Sequence, residues 1–260
     1  MLALHGWLDN ACSFDALVPH LPEWRIVALD LPGHGRSEHH ATGHLYAFLD
    51  LVSEVYWAVE ALGWSRFAML GHSLGAAIAS VLAGTFPERV LRLMLLDGLG
   101  PATESAEGAP VRLARALVDQ QRRARVGSVA PVLRRRQQLV ELAQAARDMD
   151  PRSVEVLLAG GIAERPEGYT WSSDPVLRLS SRSRLTEEQV LAFLANIACP
   201  TLVVRALEGI AIDSGVLERR IAAVRDLRVH EVPGRHHVHL DAPERVVPLL
   251  RSFMNEEDLS

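Results

Sequence analysis

The chain has 260 residues, enough for one large domain or a domain carrying an insertion, and its 48% hydrophobic and 23% charged residues are those of a soluble globular protein. Its formal net charge is −5 and all 27 basic residues are arginine, which argues against a general nucleic-acid partner. No apolar run approaches the ~20 residues of a membrane span, and Met1 leads into Leu-Ala-Leu-His-Gly without the form of a signal peptide. The two cysteines, Cys12 and Cys199, have no metal-binding or redox spacing, so a reduced, cytoplasmic protein is expected.

Leu2-Ala-Leu4 reads as the end of a strand. Phe14, Leu17, Val18 and Leu21 then fall on one helical face. Arg25–Asp30 is a second strand, ending in the tight loop Leu31–Ser37 with Gly33 and Gly35. Leu45, Phe48, Leu49, Val52, Val55, Tyr56, Val59 and Leu62 form a long apolar helical stripe, closed by Gly63 as a C-cap. Phe67–Leu70 is a buried strand, Ala76–Ala83 a helix of small and aliphatic residues, and Leu91–Leu96 another strand.

Between about 101 and 185 the strand signal disappears, leaving helical stretches at 111–123, 132–147 and 153–159 among loops rich in Gly, Pro and Ser. Residues 112–136 hold eight arginines against one acid, Asp119; the plain reading is a solvated helical face, the sharper one an attraction for anionic substrates. Alternation returns with helix 186–196, strand Thr201–Arg205, helix 216–224, strand Arg228–Val232 and helix 243–254. Repeated strand–helix units with apolar strands predict an α/β fold with a mostly parallel, doubly wound sheet. The expected division is a core of residues 1–100 and 186–260, interrupted by a helical cap at 101–185. Ligands bind at the carboxyl ends of such strands, and the insertion is placed to roof them.

Gly71-His-Ser73-Leu-Gly75 lies between a strand and a helix. A serine held on such a turn between glycines is a nucleophile elbow: its hydroxyl projects into the open, and the N–H of Leu74 is placed to stabilise an oxyanion. The serine needs a base. His236, His237 and His239 lie between the last strand and the last helix, at the same sheet edge, whereas His72 is expected to point away from the Ser73 hydroxyl. His5-Gly6-Trp7 ends the first strand, and the N–H of Trp7 is the second candidate oxyanion donor. The Asp30–Ser37 loop is expected to support that turn without taking part in chemistry.

Together these features resemble the α/β-hydrolase fold, and more closely the serine hydrolase-like proteins. The closer resemblance rests on His5-Gly-Trp-Leu-Asp-Asn-Ala11, Trp171-Ser-Ser-Asp-Pro175, Leu185-Thr-Glu-Glu-Gln-Val190 and Val232-Pro-Gly. It spans almost the whole chain, less closely through the cap. It implies that the catalytic histidine is His236, seven positions before Pro243, and that His239 is structural.

For the acid, the commonest pattern of the fold falls on Gly209, leaving Glu208 and Asp213 nearby; other members take the acid from the preceding strand, whose end here is Asp97. Asp97 is preferred, with Asp213 and Glu208 as alternatives. The fold also usually begins with two strands, about 20–30 residues, that this sequence has no room for; either its recorded start is wrong or the protein does without them. Their absence leaves strand Arg25–Asp30 at the sheet edge, where pairing with a second copy is expected.

The implied activity is that of a serine hydrolase of the carboxylesterase type, needing no cofactor or metal, acting on a small-molecule acyl substrate. The alternatives are C–C bond, lactone or thioester hydrolysis by the same triad, and a non-catalytic, ligand-binding or truncated member.

Overall fold

Alternation of side chains along the strands sets the architecture. The computed structural model describes residues 1–41, 43–126 and 132–256. Within them, β1 (Leu2–Leu4), β2 (Val27–Leu29), β3 (Phe67–His72), β4 (Val90–Leu96), β7 (Thr201–Glu208) and β8 (Leu227–Arg235) form one parallel sheet in the order β2-β1-β3-β4-β7-β8. Leu2, Leu4, Met69, Leu93, Leu95 and Val203 enter one apolar layer. Their neighbours Ala3, Leu70, Met94, Leu96, Leu202 and Val204 enter the layer on the opposite face. Both faces are therefore covered, as continuous apolar strands require.

The first layer is closed by α1 (Phe48–Ala61), α2 (Leu74–Thr85) and α6 (Glu187–Ala195). The second is closed by the short α8 (Val238–Asp241), through Val238, and mainly by α9 (Pro243–Asn255), through Val246, Val247, Leu250 and Phe253. Each fully buried aliphatic side chain contributes about 1.5–3 kcal/mol. α1 ends where Gly63 was expected to stop it: Gly63 (φ +68) donates to Glu60 O (3.0 Å) and Trp64 to Val59 O (3.4 Å), the paired bonds of a Schellman cap. α6 opens on a capping box between Thr186 and Gln189. α7 (Ser214–Ala223) lies between β7 and β8 in the chain.

The chain runs outward from β1 to β2 and then returns to the other side of β1 as β3. The reversal opens a crevice at the carboxyl ends of β1 and β3. Ser73 and His5-Gly6-Trp7 both lie there.

Several expected elements take a different form. The helical face at 14–21 is two 3-10 turns, Ala11–Phe14 and Val18–His20, because Pro19 has no N–H for an α-helical bond to Asp15. Phe14, Leu17 and Leu21 are buried as expected, while Val18 is exposed. β2 covers three residues, half the expected strand, and is the edge strand of the sheet. β8 runs on to Arg235 through Pro233, which an edge strand tolerates because its outer side needs no N–H.

In the stretch 101–185, the helices are α3 (Ala109–Val126), α4 (Arg136–Ala146) and α5 (Pro151–Gly161), the last capped by Asp150. This stretch also holds an antiparallel hairpin, β5 (Ile162–Arg165) and β6 (Gly168–Trp171), where no strand was expected. Pro166-Glu167-Gly168 flanked by Ile162, Tyr169, Thr170 and Trp171 is its sequence signal. Residues 127–131 of the arginine-rich segment lie outside the described residues. No described helix is long and apolar enough to cross a membrane.

Candidate active site

Ser73 sits between β3 and α2 with φ 51° and ψ −110°. Close packing dictates its flanking glycines. A Cβ on Gly71 would lie 2.5 Å from Gly75 O, and one on Gly75 only 1.9 Å from Leu4 O, on the neighbouring strand. The turn is fixed by Ser73 N–H to Leu96 O (3.0 Å) and Gly75 N–H to His5 O (3.1 Å). Leu74 is the first residue of α2, so its N–H has no partner within the helix.

At the end of β1, Asp9 N–H donates to Gly6 O (3.1 Å), closing a turn with Trp7 and Leu8 at its centre. His5 fastens this turn by donating from Nδ1 to Gly6 O (2.7 Å) and accepting at Nε2 from Leu31 N–H (3.0 Å). The Asp30 carboxylate accepts from Ala11 N–H (2.7 Å) and Arg36 N–H (2.9 Å), the supporting role expected of that loop. The Trp7 ring reaches across to Leu177 O (3.2 Å).

Among the described residues, Leu8 (φ 62°), Ser73 (φ 51°) and Asp97 (φ 47°) are the non-glycine residues with positive φ. They follow β1, β3 and β4, at one end of one sheet. Such conformations cost of order 1–3 kcal/mol each and persist where surrounding structure enforces them.

Asp97 follows β4 and is 5% exposed. Its carboxylate accepts from Ala206 N–H (3.1 Å), Ile210 N–H (2.9 Å) and His236 Nδ1 (2.6 Å). Burial pushes its pKa up, but the His236, Ile210 and Ala206 hydrogen bonds outweigh burial and hold the group below the usual carboxylate range. A Cβ on Gly209 would lie 2.2 Å from Asp97 Oδ2. The position where the commonest pattern carries the acid is therefore a glycine because the carboxylate of Asp97 fills the space in front of it. Asp213, by contrast, caps α7 through Val216 N–H (3.0 Å), and Glu208 ends β7 exposed.

His236 lies just beyond β8. Its Nδ1 faces a carboxylate, so Nδ1 carries the proton and Nε2 is left as a lone pair. His72 donates from Nε2 to His236 O (3.0 Å), tying the backbone of the histidine loop to the residue beside Ser73. Burial pushes the His72 imidazole down to about 4, against the pull of Asp9, so the ring is neutral. His239 is fully buried on Ser13 Oγ (2.8 Å), and His237 contacts Asp9 Oδ2 (3.0 Å). Asp9 was not singled out from the sequence, although it lies inside the His5–Ala11 motif. Burial raises its carboxyl, but the His237 hydrogen bond and the Arg147 charge hold it well below the usual range.

Ser73, Leu74, Asp97 and Trp7 line a cavity of about 850 Å³. Leu177, Leu179, Arg182 and Arg184 wall it from the 101–185 stretch. The eight arginines of 112–136 do not line it: Arg112 pairs with Glu104, and Arg115, Arg122, Arg125 and Arg134–Arg136 are exposed.

Residues 1–243 match the family described as alpha/beta hydrolase fold. The chain is 34% identical to a Drosophila melanogaster protein named probable serine hydrolase, over 98% of this chain and 81% of that protein. It is 31% identical to a Danio rerio serine hydrolase-like protein, over 99% of this chain and 82% of that one. The crystal structure of a hypothetical protein from Pseudomonas aeruginosa PAO1 is similar with a TM-score of 0.90 and 39% identity, covering 98% of this chain and 91% of that one. With the elbow turn, the parallel sheet and these matches over nearly its whole length, the chain belongs to the alpha/beta hydrolase fold family.

Proposed function

We propose that the protein is a serine hydrolase of the carboxylesterase type, with Ser73 as nucleophile, His236 as general base and Asp97 as the orienting acid. The observation that carries this reading is the 2.6 Å contact between His236 Nδ1 and Asp97 Oδ2, at the sheet edge where the strained Ser73 also sits. It fixes the tautomer in which Nε2 can accept a proton.

In the proposed cycle, His236 Nε2 takes the Ser73 proton as Oγ attacks the acyl carbonyl carbon. The N–H groups of Leu74 and Trp7 hold the oxyanion, and Asp97 stabilises the imidazolium. His236 then protonates the leaving alcohol oxygen, and the C–O bond breaks to leave an acyl-Ser73. A water gives its proton to His236 and attacks the acyl carbon; His236 returns that proton to Ser73 Oγ as the C–O bond to Ser73 breaks, releasing the acid. The residues of 101–185 that wall the cavity act as a cap over the acyl group.

A fluorophosphonate probe, followed by p-nitrophenyl esters graded by chain length, tests this. Labelling and turnover are expected in the wild type, and Ser73→Ala is expected to lose both with unchanged circular dichroism. Labelling that persists in Ser73→Ala would remove the nucleophile assignment. Turnover of thioesters or lactones in preference to these esters would move the chemistry to another acyl class on the same triad.

A further inference from the structure

Behind His236 lies a second cluster that the proposed cycle does not use. His72 Nε2 must carry its proton, because its partner, His236 O, can only accept. On a ring whose one proton sits at Nε2, Nδ1 is a bare acceptor, and it is buried with no hydrogen-bond partner among the described residues. It faces Asp9 Oδ2 at 3.7 Å, with both residues almost fully buried. Two acceptors facing each other out of water are costly unless something positive lies between them. His237 Nε2 approaches the same oxygen at 3.0 Å, and the three ligand atoms lie within 4.8 Å of one another.

We propose that Asp9 Oδ2, His72 Nδ1 and His237 Nε2 form a binding site for a zinc-class dication, and that the bound ion inhibits hydrolysis. Two imidazoles and a carboxylate are a zinc donor set. Bonds of about 2.0–2.2 Å to a tetrahedral ion place ligand atoms about 3.3–3.5 Å apart. The observed 3.7 and 3.0 Å bracket that spacing. To bind, His237 moves its proton from Nε2 to Nδ1, and no bond is made or broken elsewhere.

The outer contacts suit the role. His72 Nε2–H is anchored on a carbonyl, and Asp9 Oδ1 is held by Arg147 (2.6 Å), which orients the carboxylate while opposing a second cation. A cavity of about 280 Å³ lined by Asp9, Arg147, Leu142 and Trp171 reaches the Asp9 side of the cluster. Inhibition follows from position. His72 is bonded through Nε2–H to His236 O, their rings are 4.6 Å apart between centroids, and His237 follows His236 in the chain, so drawing both ligand rings onto an ion shifts the backbone that holds His236. This second half rests on the triad reading above; the binding half does not.

The test is cobalt titration of the full chain, read by visible absorption and competed with zinc. One tetrahedral Co²⁺ per chain is expected in the wild type, in Ser73→Ala and in His236→Ala. His237→Gln, which can still donate to Asp9, should weaken binding by about 10–100-fold or more, and Asp9→Asn should do the same if folded by circular dichroism. No tetrahedral spectrum, or binding lost in His236→Ala but kept in His237→Gln, overturns the site. Zinc should inhibit ester turnover by the wild type and spare His237→Gln; equal inhibition of both overturns the regulatory half. An absence of fluorophosphonate labelling alongside intact cobalt binding would defeat the triad reading alone.

Discussion

Asp97→Asn probes the proposed triad most directly. The carboxylate accepts three hydrogen bonds, from Ala206 N–H, Ile210 N–H and His236 Nδ1. Asparagine keeps one acceptor oxygen. If that oxygen stays on Ala206, the amide NH2 faces the Ile210 N–H and the imidazole. The ring then turns a lone pair at Nδ1 toward the amide, its proton moves to Nε2, and the base toward Ser73 is gone. A wrong tautomer of this kind costs about 10⁴ in kcat, or about 5–6 kcal/mol of transition-state stabilisation. The Ile210 N–H, on a half-exposed residue, loses its acceptor at a further cost of about 1 kcal/mol of stability or less.

The converse experiment uses Gly209. In Asp97→Gly, the residue with φ 47° becomes one that tolerates this conformation, and the space in front of position 209 is vacated. Adding Gly209→Asp returns a carboxyl to that space, and the double variant should recover part of the activity that Asp97→Gly loses. Gly209→Asp alone should be severely impaired, since two carboxylates would compete for one cradle. Steady-state kinetics on a p-nitrophenyl ester reads all four proteins. If Asp97→Asn remains within about tenfold of wild type, Asp97 is not the partner of the base. A larger loss in Asp213→Asn would then move the acid to the loop after β7.

Two further outcomes follow from charge. Burial pushes His34 down to about 4 and lowers His5 from 6.5 as well, so the unfolded chain binds more protons than the native one below about pH 6.5. Their contribution is whole above pH 6.5 and declines as pH falls toward 4, by up to about 1.4 kcal/mol per pH unit for each histidine. Tm measured in chelator-containing buffer should therefore drop from about pH 7 to about pH 5; a flat or rising Tm contradicts this. Arg182 and Arg184 line the large cavity, and residues 112–136 of the same stretch carry eight arginines against one acid, so any rate advantage of an anionic over a neutral ester should shrink with salt. Equal salt response for both esters returns these arginines to a solvated face.

What the sequence made legible was local geometry. The elbow could be read because the approach of α2 to β1 admits only glycine at 75, and the C-cap at Gly63 because one residue carries it. The acid was legible only as a choice. Whether the end of β4 or of β7 reaches the imidazole depends on a close approach between elements far apart in sequence, and Gly209 is the mark it leaves. Leu8 gives no signal, since nothing about a leucine announces φ 62°. The facing acceptors of Asp9 and His72 are likewise invisible, because they depend on which ring nitrogen is occupied by His236 O. The β5–β6 hairpin shows the opposite failure: its turn signal is present but short, and the helical patterns around it dominate.

The edge of the sheet is where the size of an effect decides between two expectations. An apolar strand at Arg25–Asp30 suggests association with a second copy. The structure leaves Val27–Leu29 as the strand, with Val27 N–H already donated to Met1 O (2.9 Å). On a parallel strand, alternate residues face opposite neighbours, so Ala28 turns its N–H and C=O outward. An edge of this length offers about two to four hydrogen bonds to a partner, each worth about 1 kcal/mol net. Their sum corresponds to a dissociation constant near 1 mM or weaker, before any cost of bringing two chains together. Through this edge alone, the chain should sediment as a monomer at about 1–10 µM and associate only near the millimolar range. A tight dimer at micromolar concentration that Ala28→Pro disperses would show that the edge is stronger than its hydrogen bonds allow. A tight dimer that Ala28→Pro leaves intact would place the interface on another surface.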